Sequence, residues 1–138
     1  KVGQITKERE YQRTLDKYPN NLFVANEYAQ WCAQNGNPAK AKDLWEGILR
    51  QDPNYYPALV NLGNLFYQAK QYNDARSKYL QALSLSRDLE QVYRNLCLTE
   101  FYGGSISKAK EYFNLLKKPD LVQKMDYNAY SVLSRKGE

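Results

Sequence analysis

Leu59-Val60-Asn61-Leu62-Gly63-Asn64-Leu65-Phe66, followed by Ala75 and then Tyr79 one turn later, decides the fold of this chain. Leu59, Leu62 and Phe66 recur at spacings of three and four, the signature of one face of an α-helix. The same arrangement returns 34 residues earlier as Ala25-x2-Tyr28-Ala29-x2-Cys32, then Ala41-x3-Trp45, then Pro53. It returns 34 residues later as Tyr93-x2-Leu96-Cys97, then Ala109-x3-Phe113. Ala41, Ala75 and Ala109 are small enough to let two helices approach closely, and Trp45, Tyr79 and Phe113 fill the space one turn on. A helix pair of this size cannot cover its own apolar side. Stacking successive pairs makes one continuous core.

This pattern resembles the tetratricopeptide repeat, W-x2-L-G-x2-Y followed by A-x3-F and P. The resemblance implies an all-α, right-handed superhelical solenoid of antiparallel helix pairs. Pro19-Asn20 and Pro53-Asn54, 34 residues apart, set the register at the turns between repeats. The expected organisation is a single domain over 1–138, with a flanking helix over 1–21, repeats over 22–55, 56–89 and 90–123, and a C-terminal helix over 124–138. Asn37-Pro38 reads as an N-cap followed by proline at the first helical position. Gly36 just before it ends the preceding helix in the left-handed conformation. Lys70-Gln71-Tyr72 replaces that turn one repeat on, and Gly103-Gly104-Ser105 restores it with Ser105 as cap. The template position that is aromatic in Phe66 is Cys32 one repeat earlier and Glu100 one repeat later. Glu100 is a poor core residue, so Phe101 is expected to substitute for it, with the third repeat rotated or its first helix irregular there.

Composition narrows the function. The chain has no histidine, which removes the commonest general base and metal ligand. No phosphate-binding glycine loop, no Ser/His or Cys/His pair and no facing carboxylates are present, so neither an enzyme, a cofactor nor a metal is expected. Cys32 and Cys97 fall on packing positions two repeats apart, about 20 Å at one helix diameter per layer, beyond disulfide reach. Free buried thiols suit a reducing, cytoplasmic compartment, while a periplasmic or other one stays open. The net charge of +5 is spread along the chain, whereas a nucleic-acid binder concentrates its cations on one face; no nucleic acid is expected. No apolar run approaches the ~18 residues needed to span a membrane. The chain opens at Lys1 inside a helical pattern, as a segment of a longer protein would.

The resemblance also implies where a partner binds. First-helix positions line the concave face of such a solenoid, and by register these include Asn26, Gln30, Asn61, Asn64, Tyr67, Gln91, Arg94, Asn95, Phe101 and Tyr102. The set is rich in amides and aromatics. An asparagine amide both donates and accepts, so it can pair with one peptide unit. Asn61 and Asn95, at one position in successive repeats, form a ladder for the backbone of an extended segment, and Tyr67, Phe101 and Tyr102 supply side-chain pockets. Some members of the family grip acidic chaperone tails with a two-carboxylate clamp. Its positions read Asn26, Gln30, Asn61, Gln91 and Asn95 here, and only Asn61 has the clamp's residue type. The expected function is a protein–protein interaction scaffold for a protein or peptide partner. The alternatives are an assembly unit that self-associates through terminal helices, with Val2, Ile5, Val132 and Leu133 exposed, and a regulatory appendage of a larger protein. Leu121, Val122, Met125, Tyr127 and Tyr130 add to the apolar surface expected at the C-terminal end.

Overall fold

The computed structural model describes residues 2–86, 88–116 and 127–135. Among them are eight helices and no strand: α1 (Val2–Lys17), α2 (Leu22–Gln34), α3 (Pro38–Gln51), α4 (Tyr56–Gln68), α5 (Tyr72–Leu85), α6 (Glu90–Tyr102), α7 (Ile106–Leu115) and α8 (Tyr127–Leu133). Within a pair, α2 packs on α3, α4 on α5 and α6 on α7; between pairs, α3 meets α4 and α5 meets α6. The first helices also touch in sequence, α2 to α4 and α4 to α6, while α1 and α8 pack on α2 and α7 at the two ends. This is the right-handed superhelical stack of antiparallel helix pairs. The C-terminal border of the third repeat and the apolar residues Leu121, Val122 and Met125 lie outside the described residues.

Local chemistry sets the helix ends. The Asn21 side chain accepts from the Val24 N–H at 3.1 Å and opens α2, and Asn37 accepts from the Lys40 N–H at 3.2 Å and opens α3 ahead of Pro38. Ser105 stands at the cap position of α7, but its side chain makes no capping bond there. The turn between paired helices is the same in all three pairs. The N–H groups of Asn37, Gln71 and Ser105 reach back to the carbonyls of Cys32, Phe66 and Glu100 at 2.8, 2.9 and 2.8 Å. Each turn needs one left-handed residue, and Gly36, Lys70 and Gly104 take it with φ of 83°, 61° and 98°. The turn expected to be replaced at Lys70 is therefore kept, with a lysine in a conformation that favours glycine.

The core runs along the stack where small residues let helices approach. A Cβ built on Gly63 would lie 2.5 Å from the ring of Tyr79, which has no exposed surface. One layer on, the Cys97 thiol donates to the Ala109 carbonyl at 3.2 Å. Burial pushes this thiol up to about 12 and also raises the Cys32 thiol. Both cysteines are free and buried.

Around Glu100 the expected irregularity is absent. Helix α6 is continuous, Leu96 and Cys97 are buried at their template positions, and Glu100 is buried at its own. The carboxylate is tolerated because Arg76 of α5 donates to it through Nε, while Arg76 Nη1 donates to Asn73 Oδ1 at 2.7 Å. A buried charge needs such a partner. Glu100 keeps its own position, and half-buried Phe101 packs beside it against the core of Cys97, Ala109, Ala129 and Leu133 and edge-on against Tyr102, ring centres 5.0 Å apart.

Candidate partner-binding face

Helices α2, α4 and α6, which the repeat resemblance expects on the concave face, touch in sequence, and hydrogen bonds between asparagines tie one layer to the next. Asn26 of α2 is buried, and its Oδ1 accepts from Trp45 Nε1 at 2.9 Å and from Asn61 Nδ2 at 3.0 Å. Asn64 of α4 repeats the arrangement, with Oδ1 accepting from the Tyr79 hydroxyl at 2.6 Å and from Asn95 Nδ2 at 2.9 Å. In each joint a carbonyl oxygen takes one bond from the aromatic of its own pair's second helix and one from the next first helix. Trp45 and Tyr79 are equivalent by the 34-residue period, as are Asn61 and Asn95. The acceptor moves about one helical turn, from the position of Asn26 to that of Asn64.

The bonds orient the amides. Asn61 and Asn95 each spend an N–H on the layer before. An amide has two such hydrogens and a carbonyl oxygen, and neither carbonyl oxygen has a hydrogen bond among the described residues. Burial, the larger cause, raises the Tyr79 phenol well above its ordinary value; nearby Tyr67 adds to the rise, and Asn95 and Arg94 partly offset it. Tyr79, Tyr67, Asn95 and Arg94 thus lie close together. Arg94, the charged member of the candidate set, has a buried Nε with no hydrogen-bond partner among the described residues, and Glu90 Oε2 on the same helix is in the same condition.

The other candidates fall into two groups. Gln30, Gln91 and Tyr102 are exposed. Tyr67 and Phe101 are half-buried, and Tyr67 packs edge-on against Tyr72 at 5.9 Å, so its ring is partly used within the fold. The sequence period marks Trp45 and Tyr79 as packing residues and does not reveal their polar ends, which the structure shows bonded to Asn26 and Asn64. Their signal was available: each carries a hydrogen-bond donor at a buried template position, and a buried donor requires an acceptor on the facing helix.

A second polar cluster holds α1, which buries no residue. The Tyr28 hydroxyl donates to Glu8 Oε1 at 2.7 Å and accepts from Gln12 Nε2 at 3.1 Å, with Lys40 Nζ 3.6 Å from Glu8 Oε1. The Tyr11 ring stacks on Tyr28 with centres 5.1 Å apart. Hydrogen bonding to Tyr28, the largest cause, raises the Lys40 ammonium value.

Among the described residues, no helix is long and apolar enough to cross a membrane. Nor does any group of three or more His, Cys, Asp and Glu side chains stand where it could hold a metal ion.

Comparison with known proteins agrees with this architecture. A tetratricopeptide-repeat family model matches residues 33–97. The TPR repeat-containing protein YpiA of Bacillus subtilis (strain 168) is 31% identical over 100 residues, which is 71% of this chain and 23% of that protein. The chain spans less than half the length of the curated relatives it matches, 43% of one and 23% of the other. Crystalline MamA superposes with a TM-score of 0.78 at 21% identity, over 91% of this chain and 72% of that one. The first TPR of Spaghetti (RPAP3), bound to the HSP90 peptide SRMEEVD, superposes with a TM-score of 0.69 at 18% identity, over 82% of this chain and 87% of that one. With the alanine-anchored helix pairs, the shared turn and these likenesses together, the chain is a tetratricopeptide-repeat protein.

Proposed function

We propose that this chain is a protein-binding scaffold whose concave face holds an extended segment of a partner by its backbone. The observation that carries this is the orientation of Asn61 and Asn95. Each is fixed by a bond to the preceding layer, and its carbonyl oxygen, unbonded among the described residues, is left to accept from the N–H of a peptide unit. The two stand one repeat apart, so they address two points along one extended strand. Arg94 and the exposed Gln30 and Gln91 flank them. Amides and aromatic rings bind but do not shuttle protons near neutral pH, so we assign no catalytic role. The peptide bound to the RPAP3 domain supports the reading as a precedent for the fold.

Selection of binding peptides from a displayed random library, followed by calorimetry, tests the proposal. Affinity is expected to fall about tenfold or more in the Asn61→Ala, Asn95→Ala double variant, because two backbone groups of the peptide lose their partners. Selected peptides that bind both proteins equally would remove the concave amides from the function.

A second reading rests on the ends. Val2 and Ile5 of α1 are 81% and 54% exposed, and Tyr127 of α8 is 82% exposed. Such side chains suit contact with further repeats or a second copy. The C-terminal contribution is smaller than expected, because Leu133 is buried beside Cys97, Ala109 and Ala129.

A further inference from the structure

The joint between the first two helix pairs is more open than the joint between the next two, where a smaller cleft of about 320 Å³ lies beside Tyr72, Asp74 and Gly103. A cleft of about 560 Å³ lies between the α2–α3 turn and the C-terminal end of α4, bordered by Ala33, Pro38, Lys42, Leu65, Phe66 and Ala69. Its lining is mostly apolar and none of its lining residues carries a carboxylate. The 34-residue period maps each wall residue onto a counterpart one layer on. Ala33 corresponds to Tyr67, Pro38 to Tyr72, Lys42 to Arg76, and Ala69 to Gly103. In the second joint Tyr67 and Tyr72 pack edge to face, ring centres 5.9 Å apart. A Cβ built on Gly103 would lie 3.4 Å from Tyr72 Cβ and 3.7 Å from Arg76 Nη2, so these side chains narrow that joint. In the first joint an alanine and a proline replace the two tyrosines and leave their space empty.

Charge separates the joints in the same way. Arg76 is satisfied by Glu100. Lys42 has no such anion among the described residues and lies over the Phe66 ring at 5.7 Å. The cleft therefore has an aromatic-sized void beside a cation that pairs with no carboxylate among the described residues. We infer that this cleft is a socket for an aromatic side chain of a partner segment that carries an acidic residue next to it. The ring takes the place that Tyr67 and Tyr72 fill one layer on, and the carboxylate pairs with Lys42 as Glu100 does with Arg76. Ala33 and Gln68 belong to the first helices, so the cleft opens at the rim of the concave face. The inference rests on the groove reading only for the path of the partner.

The probes are capped tetrapeptides with the central pairs Tyr-Glu, Ala-Glu and Tyr-Gln, titrated at millimolar concentration into the isotope-labelled chain by NMR. The Tyr-Glu peptide should give saturable shifts at the backbone amides of Gly36, Ala39 and Ala69, and the Ala-Glu peptide should give none. Ala33→Tyr, which fills the void from within, should weaken the effect about tenfold or more, in line with losing the burial of one ring. Lys42→Gln should reduce binding of the Tyr-Glu peptide to that of Tyr-Gln and leave Tyr-Gln unchanged; this arm holds even if Ala33→Tyr fails to fold. Equal shifts with all three peptides, or shifts at Gly103 and Ser105 as large as those at Gly36 and Ala69, would overturn the socket. Shifts confined to the Asn61 and Asn95 side-chain amides would overturn the socket and leave the groove standing. Shifts confined to the cleft would support the socket, and the groove is then tested by the library-selected peptide.

Discussion

Lys70 holds a left-handed conformation, φ 61°, at the position where the neighbouring pairs place Gly36 and Gly104. An L-residue there costs about 1–2 kcal/mol, partly offset by the greater chain entropy glycine loses on folding. Lys70→Gly should therefore stabilise the chain by about 0.5–1 kcal/mol in urea denaturation, and a loss of stability would contradict the shared turn. Cys97 supplies a pH test. Its unfolded thiol ionises near 9.0, while burial holds the folded one up to about 12. Above 9.0 the unfolded state loses a proton that the folded state keeps, so this group lowers stability as pH rises towards about 12. The alkaline loss of stability should be shallower in Cys97→Ala than in the wild type when both are followed by denaturant melts. At this scale the sequence was legible in part. The amide positions Asn61 and Asn95 could be read from the period, because a repeat fixes which residues share a site. Their acceptors could not, because Asn26 and Asn64 are not equivalent by that period, and which of them a tryptophan or tyrosine reaches depends on side-chain length.

Between helices, one pair of positions is occupied differently at successive joints. Lys42 meets Phe66 at the first, and Arg76 meets Glu100 at the second. Removing the cation alone strands a buried carboxylate, so Arg76→Met should destabilise by about 2–3 kcal/mol, below the usual range for buried pairs because the arginine is partly exposed. Arg76→Lys with Glu100→Phe recreates the first joint and should recover most of that loss; a double variant no better than Arg76→Met would show that the joints are not interchangeable. Gly63 gives a second element-scale test. Gly63→Ala drives a methyl into the Tyr79 ring and should cost about 2–3 kcal/mol by thermal or chemical melting. The amide ladder contributes here too. Because Asn61 and Asn95 donate to Asn26 and Asn64, their joint replacement by alanine should lower stability by about 1–2 kcal/mol, where exposed amides would have cost almost nothing. Helix pairing was legible because alanine and glycine at the contact positions recur on a strict period. The Arg76–Glu100 pair was not, because a charged residue at an apolar template position looks like a defect until its partner on another helix is in place.

Across the whole molecule, apolar contacts run through successive layers while asparagines stitch the first helices along the concave side. The stack leaves apolar side chains exposed at both ends, Val2 and Ile5 on α1 and Tyr127 on α8. The solenoid was legible from one 34-residue period, since that period dictates both the helix pair and its stacking. The open first joint was not, because a void is a property of what small residues fail to fill. The central claim is that the concave amides hold a partner's backbone, and the side-chain amide resonances of Asn61 and Asn95 report on it directly. With a library-selected peptide titrated in, both are predicted to shift along the same saturation curve, and N-methylation of the peptide backbone at the contacting residues to abolish both shifts. Saturation with those two resonances unmoved, and shifts confined to α3, α5 and α7, would contradict it.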